Sequence, residues 1–135
     1  RTGLESKFSG AHSTAVAIAQ RAGGIVQYSD SNLSDPTLVT LRRKVTVSAN
    51  AGFQPRQIVA SVRTTGGREF THEVLYVKGS PRNPLTQEEL EAKFRANAAL
   101  ALPENQVERL LKMLRALDRV EDVAEVMTLC RLPVR

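Results

Sequence analysis

The stretch Lys78–Phe94, KGSPRNPLTQEELEAKF, decides how this chain is organised. Gly79, Pro81 and Pro84 crowd together, and a dense helical pattern follows at once. Neither proline donates to a β-ladder, and each biases the residue before it away from helix, so no helix begins before Leu85. Thr86-Gln87-Glu88-Glu89 then has the form of a capping box: the Thr86 hydroxyl accepts from the Glu89 amide, and the Glu89 carboxylate accepts from the Thr86 amide. Losing such a cap costs about 1 kcal/mol. Pro81–Pro84 therefore reads as a hinge between a β-containing half and an all-helical half.

Downstream of the hinge three helices are expected. Leu90, Phe94 and Ala98 recur at helical spacing over 87–101. Pro103 starts a second helix, whose Val107, Leu110, Leu111, Leu114 and Leu117 form an apolar stripe. A third, over 121–131, carries Val123, Val126, Met127 and Cys130. The very short links between them predict antiparallel neighbours.

Upstream, residues 8–22 read as an Ala-rich helix ended by Gly23-Gly24, with so little side-chain bulk that it can lie close against a sheet or another helix. In SDPTLVTLRRK, Asp35 or Ser34 caps a short helix and Pro36 suits its first position. The period then changes to two. KVTVSA, RQIVASVRT and REFTHEVLYVK read as three strands, and the Gly-Gly of TTGGR supplies the turn between the last two. Neither face of the last strand is cleanly polar, which predicts that both are covered. The fold class is α+β: a helix packed on a small antiparallel sheet of about three strands, followed by three C-terminal helices.

The 135 residues begin with Arg1 and read as one domain's worth of chain, or part of something longer. With 4% aromatic residues, the core must be Leu, Val, Ile and Ala. A lone cysteine, Cys130, excludes an internal disulfide and a cysteine-based zinc site, and fits the reducing cytoplasm. No apolar run approaches the roughly 20 residues of a membrane span. The net charge of +5 invites nucleic acid, but the densest basic cluster is Arg42-Arg43-Lys44 and no aromatic residue interleaves it. Neither nucleic acid nor membrane is expected as a partner; an anionic small molecule, or an acidic part of a longer chain, suits the charge.

Chemistry-bearing motifs are few. Gly66-Gly67 is a hairpin turn rather than a phosphate cradle, since no helix follows it. Glu88, Glu89 and Glu91 suit the helix N-terminus electrostatically. Cys130 reads as a packed thiol, and His72, on a strand, as structural or surface. His12, in the first turns of the Ala-rich helix and flanked by Ser9, Ser13 and Thr14, is a group able to donate, accept or move a proton near neutral pH. Taken by itself, a histidine so placed is more often one that only forms hydrogen bonds.

In order, the chain carries KFSGAHSTA (Lys7–Ala15), GSPRNPL (Gly79–Leu85), EAKF (Glu91–Phe94) and VEDV (Val120–Val123). The set resembles the C-terminal part of the MmgE/PrpD family, whose members include 2-methylcitrate dehydratase, cis-aconitate decarboxylase and iminodisuccinate epimerase. The matching family patterns are KFS-x-x-Y-x-x-A, G-x-P-x-x-P-L, E-x-KF and L-x-D-V. The resemblance implies a two-domain lyase or isomerase, with residues 1–80 in its α+β domain and 81–135 giving C-terminal helices of its helical domain. It implies proton abstraction next to a carboxylate of a small di- or tricarboxylate, followed by loss of water or CO2 or by epimerisation, without a metal or organic cofactor. The family's main catalytic residues belong upstream, so this chain by itself is expected to be inactive and to self-associate as a homo-oligomer such as a dimer. His12 stands where the family has tyrosine, and is the one catalytic position the resemblance offers here. The competing reading is a non-catalytic basic α+β binding or regulatory module.

Overall fold

A computed structural model describes residues 2–132. In chain order these form α1 (Gly3–Ser6), α2 (Gly10–Gln20), a 3-10 turn (Ile25–Tyr28), α3 (Asp30–Ser34), α4 (Pro36–Arg42), β1 (Ile58–Arg63), β2 (Glu69–Val74), α5 (Gln87–Ala98), α6 (Glu104–Arg115), a 3-10 turn (Leu117–Arg119) and α7 (Val123–Leu129). The fold class is α+β. The chain divides into two compact units: Arg1–Ser48 with Phe94–Arg135, and Ala49–Lys93.

The first unit is helical and its starts follow local chemistry. Ser9 caps α2, its Oγ accepting from the His12 amide at 3.2 Å. Asp35 caps α4, its Oδ1 accepting from the Leu38 amide at 2.9 Å, with Pro36 in the first turn as expected. The helix α2 stops before the Gly-Gly pair, because Arg21 turns left-handed at φ 51° and its amide still bonds the Ala17 carbonyl. What α2 packs on is a helix, α4: Ala15 and Val16 meet Leu38, with Leu41 at the edge. Ala17 and Ala19 face outward. Gly3, unremarked in the sequence, sits so close to the backbone of Tyr28 that a Cβ would fall within 3 Å of that carbonyl. That crowding seats α1 on the segment before α3, where the Gly3 amide donates to Asp30.

A second cluster in this unit joins α6 and α7. Leu110, Val126 and Leu129 are buried together, with Phe94, Leu102, Met113 and Val120 around them. The Gln106 amide of α6 donates to the Leu129 and Arg131 carbonyls, covering the open end of α7. Arg95 and Glu108 form a two-bond ion pair, Nε–Oε1 at 2.6 Å and Nη2–Oε2 at 3.1 Å. The apolar stripe of α6 is wider than its cover, so Leu114 and Leu117 stay largely exposed. Cys130, expected as a packed thiol, is exposed at the end of α7, one residue beyond the buried Leu129.

The second unit holds the hairpin. β1 and β2 pair antiparallel from Ile58↔Val74 to Arg63↔Glu69. The Thr64 amide closes the turn on the Arg68 carbonyl at 2.8 Å, and Gly67 takes φ +79°, the conformation that the Gly-Gly pair supplies. Among the described residues the sheet has two strands, not three. KVTVSA alternates correctly, but a ladder needs a partner, and β1 and β2 pair with each other. Val47 instead lies over Gly10, where an added Cβ would meet its Cγ2 at 3.3 Å. The hairpin faces are not covered as expected: Ile58, Val59, Val62 and Phe70 all remain exposed.

After β2 the chain closes on itself. Gly79 at φ +86° lets its amide reach the Asn83 carbonyl at 2.7 Å, and Asn83 Nδ2 donates to the Tyr76 carbonyl at 3.0 Å. Arg82 lies 5.0 Å over the Tyr76 ring. The capping box then forms in full, Glu89 amide to Thr86 Oγ1 at 3.2 Å and Thr86 amide to Glu89 Oε2 at 2.8 Å. No helix among the described residues is long and apolar enough to cross a membrane.

Candidate functional site

The site is built around the start of α2. The Ser9 cap sets the first turn of that helix and aims His12 inward, where only 1% of the residue is exposed. Burying an imidazole requires partners for both nitrogens. Nε2 lies 3.0 Å from the Gln27 carbonyl and Nδ1 lies 3.2 Å from Arg42 Nη1. A carbonyl only accepts and a guanidinium only donates, so the proton sits on Nε2 and the lone pair is on Nδ1. The ring also tilts against Tyr28, centroids 5.7 Å apart, and the Tyr28 hydroxyl is 3.2 Å from Ser13 Oγ. One side chain thus ties α2 to the 3-10 turn and to α4.

Arg42 is the less expected member. Its Nη2 donates to the Leu33 carbonyl at 2.8 Å, so the guanidinium is fixed at two points. Both acceptors are neutral. Arg42 and His12 border an open concavity of about 730 Å³, whose other walls include Phe8, Leu33, Val39 and Arg43. Phe8 is 89% exposed at its rim. Glu5 is the acidic side chain among the lining residues, and its carboxylate accepts from the Thr2 amide at 2.7 Å. The concavity is thus lined by apolar side chains together with two arginines and one glutamate, a net positive lining that can take a small organic anion.

The remaining sequence candidates stand elsewhere in less enclosed settings. His72 is exposed on β2, opposite Ala60. Glu89 is committed to its cap and to Lys78, whose Nζ is 2.7 Å away; the hydrogen bond from Lys78 and then the Thr86 amide hold its carboxyl below the ordinary glutamate range. Glu91 accepts from Gln87 at 3.0 Å. Among the described residues no three His, Cys, Asp or Glu side chains converge as a metal would need. Sequence reasoning passed over Arg42 because it looked like part of a solvated basic run. Its signal was helical spacing: Arg42 follows the buried Leu38 by four residues, one turn along the same face.

A family model described as the MmgE/PrpD C-terminal domain matches residues 1–119. The chain is also similar to the cis-aconitate decarboxylase of Homo sapiens, 41% identical over 73 residues, which is 54% of this chain and 15% of that protein. The chain thus spans a small fraction of the length of the relative it matches.

Proposed function

Since the chain belongs to the MmgE/PrpD family and carries its C-terminal domain, we propose that it is part of a lyase or isomerase acting on a small di- or tricarboxylate. The reaction is proton transfer next to a carboxylate with loss of CO2 or water, or with epimerisation. The observation that carries this reading is the family match over residues 1–119. The likeness to cis-aconitate decarboxylase favours loss of CO2 within that range. Residues 1–80 belong with the α+β domain of the parent and 81–135 with its helical domain.

The concavity bordered by His12 and Arg42 forms one wall of the substrate site in this reading. Such chemistry needs a base, an acid and cations to hold the carboxylates. Arg42 and Arg43 supply cations; the base and acid come from other segments of the parent. His12 contributes by holding Arg42. For His12 to move a proton itself, one of its two hydrogen bonds must first be released. The parent works in the cytoplasm as a homo-oligomer, with no cofactor.

The test is an assay of the purified parent on cis-aconitate, 2-methylcitrate and iminodisuccinate, following CO2 release, dehydration and epimerisation separately. Turnover of one of them is expected, and none from the 135-residue chain alone. A folded parent inert towards all three, binding them no better than chloride, overturns the reading in favour of a non-catalytic module.

A further inference from the structure

We propose that Arg42 is the residue of this concavity that binds a substrate carboxylate, and that His12 is its positioning residue. This rests on the reading that the parent acts on a di- or tricarboxylate, and assigns that recognition to one side chain. A guanidinium carries five N–H bonds in a rigid fork and no acceptor. In Arg42 one is directed at His12 Nδ1 and one at the Leu33 carbonyl. The remaining three, the Nε–H included, have no partner among the described residues.

Arg42 also takes part in no ion pair among the described residues, since an imidazole nitrogen and a peptide carbonyl carry no charge. A half-buried cation beside apolar walls attracts an anion more strongly than one in open water. Most surface arginines lose side-chain freedom when they bind. Arg42 is already fixed at two points, so little remains to be lost. A carboxylate can accept from two of the three remaining N–H groups of the fork. Arg43 lines the same concavity and takes part in no ion pair among the described residues, which suits a second carboxylate. Glu5, which would oppose an anion, is turned to the Thr2 amide.

His12 acts through Arg42. With its proton on Nε2 it presents a lone pair to Arg42; with a proton on Nδ1 it would present a repelling N–H instead. The Gln27 carbonyl, by accepting from Nε2, selects the useful tautomer.

The test is a 15N side-chain NMR titration of the 135-residue chain with tricarballylate, with acetate and inorganic phosphate as comparators. Saturable shifts of the Arg42 Nε–H and of the His12 ring nitrogens are expected with tricarballylate in the millimolar range. Arg42→Lys, which keeps the charge but not the fork, should weaken binding about 10- to 100-fold with the helical circular dichroism retained. An Arg42 resonance that does not move, an unchanged Kd in a folded Arg42→Lys, or phosphate binding as tightly as tricarballylate overturns the proposal. If Arg42→Lys does not fold, the wild-type resonance decides by itself. A parent inert towards carboxylates, whose chain still binds tricarballylate through Arg42, overturns the proposed reaction and supports this site. A parent that turns over its carboxylate with kcat/KM unchanged in Arg42→Lys does the reverse.

Discussion

The imidazole of His12 has no nitrogen to spare. Replacing it by phenylalanine keeps a flat aromatic ring, slightly larger, but leaves the Gln27 carbonyl without its donor and Arg42 without one of its two anchors. A buried polar group stripped of its partner costs about 1–3 kcal/mol. His12→Phe should therefore lower the thermal midpoint of the 135-residue chain by several degrees; an unchanged melt would mean the two bonds contribute nothing net. Part of this site was legible in the sequence. His12 stood out by its place near a helix start, flanked by Ser9, Ser13 and Thr14; that Ser9 caps the helix, which begins at Gly10 rather than at residue 8, is what the structure adds. The acceptor on Gln27 was not legible, because a backbone carbonyl leaves no mark on residue identity. Gly3 was equally silent: its importance comes from the Tyr28 carbonyl pressed against it, a contact of the folded chain only.

At the level of elements, chain ends and charges give sharper tests. Arg21 ends α2 in the left-handed region, where a Cβ costs about 1–2 kcal/mol. Glycine removes that cost but has more freedom to lose on folding. Arg21→Gly should raise stability by roughly 0.5–1 kcal/mol, measured by urea denaturation; a loss would show that Arg21 makes an offsetting contact. At the start of α5, Glu89 is held below the ordinary glutamate range, first by the Lys78 hydrogen bond. A carboxylate with a depressed folded pKa stabilises above its unfolded value, near 4.3, and this stability fades as pH falls through the lower folded value. Glu89→Gln should flatten that acid-side loss in a pH series of melting curves, and leave the chain weaker at neutral pH. Capping and turn chemistry were legible because they act over three or four residues, as at Asp35-Pro36, Thr86–Glu89 and Gly67. KVTVSA was misread because a period of two reports only the capacity to pair.

Across the described residues, six of the eight buried apolar residues gather in two small clusters, Ala15-Val16-Leu38 and Leu110-Val126-Leu129. The hairpin has no such cluster, and a two-stranded ribbon without a covered face is marginal in water. Amide protons of Ile58–Arg63 and Glu69–Val74 should exchange with deuterium well before those in the middle of α2 and α6. Equal protection would show that the strands are covered in solution by self-association. The clamp on His12 also has a consequence for how the chain is made. His12 and Arg42 are thirty residues apart, so at ribosomal speeds of about 5–20 residues per second the histidine emerges roughly 2–6 s before the arginine that completes its shell. Through that interval the imidazole can be shielded from only one side. The first helix of the site therefore waits, partly wet, on a residue still to be translated, and a pause in translation between the codons for His12 and Arg42 would lengthen the time in which this face is open to other partners.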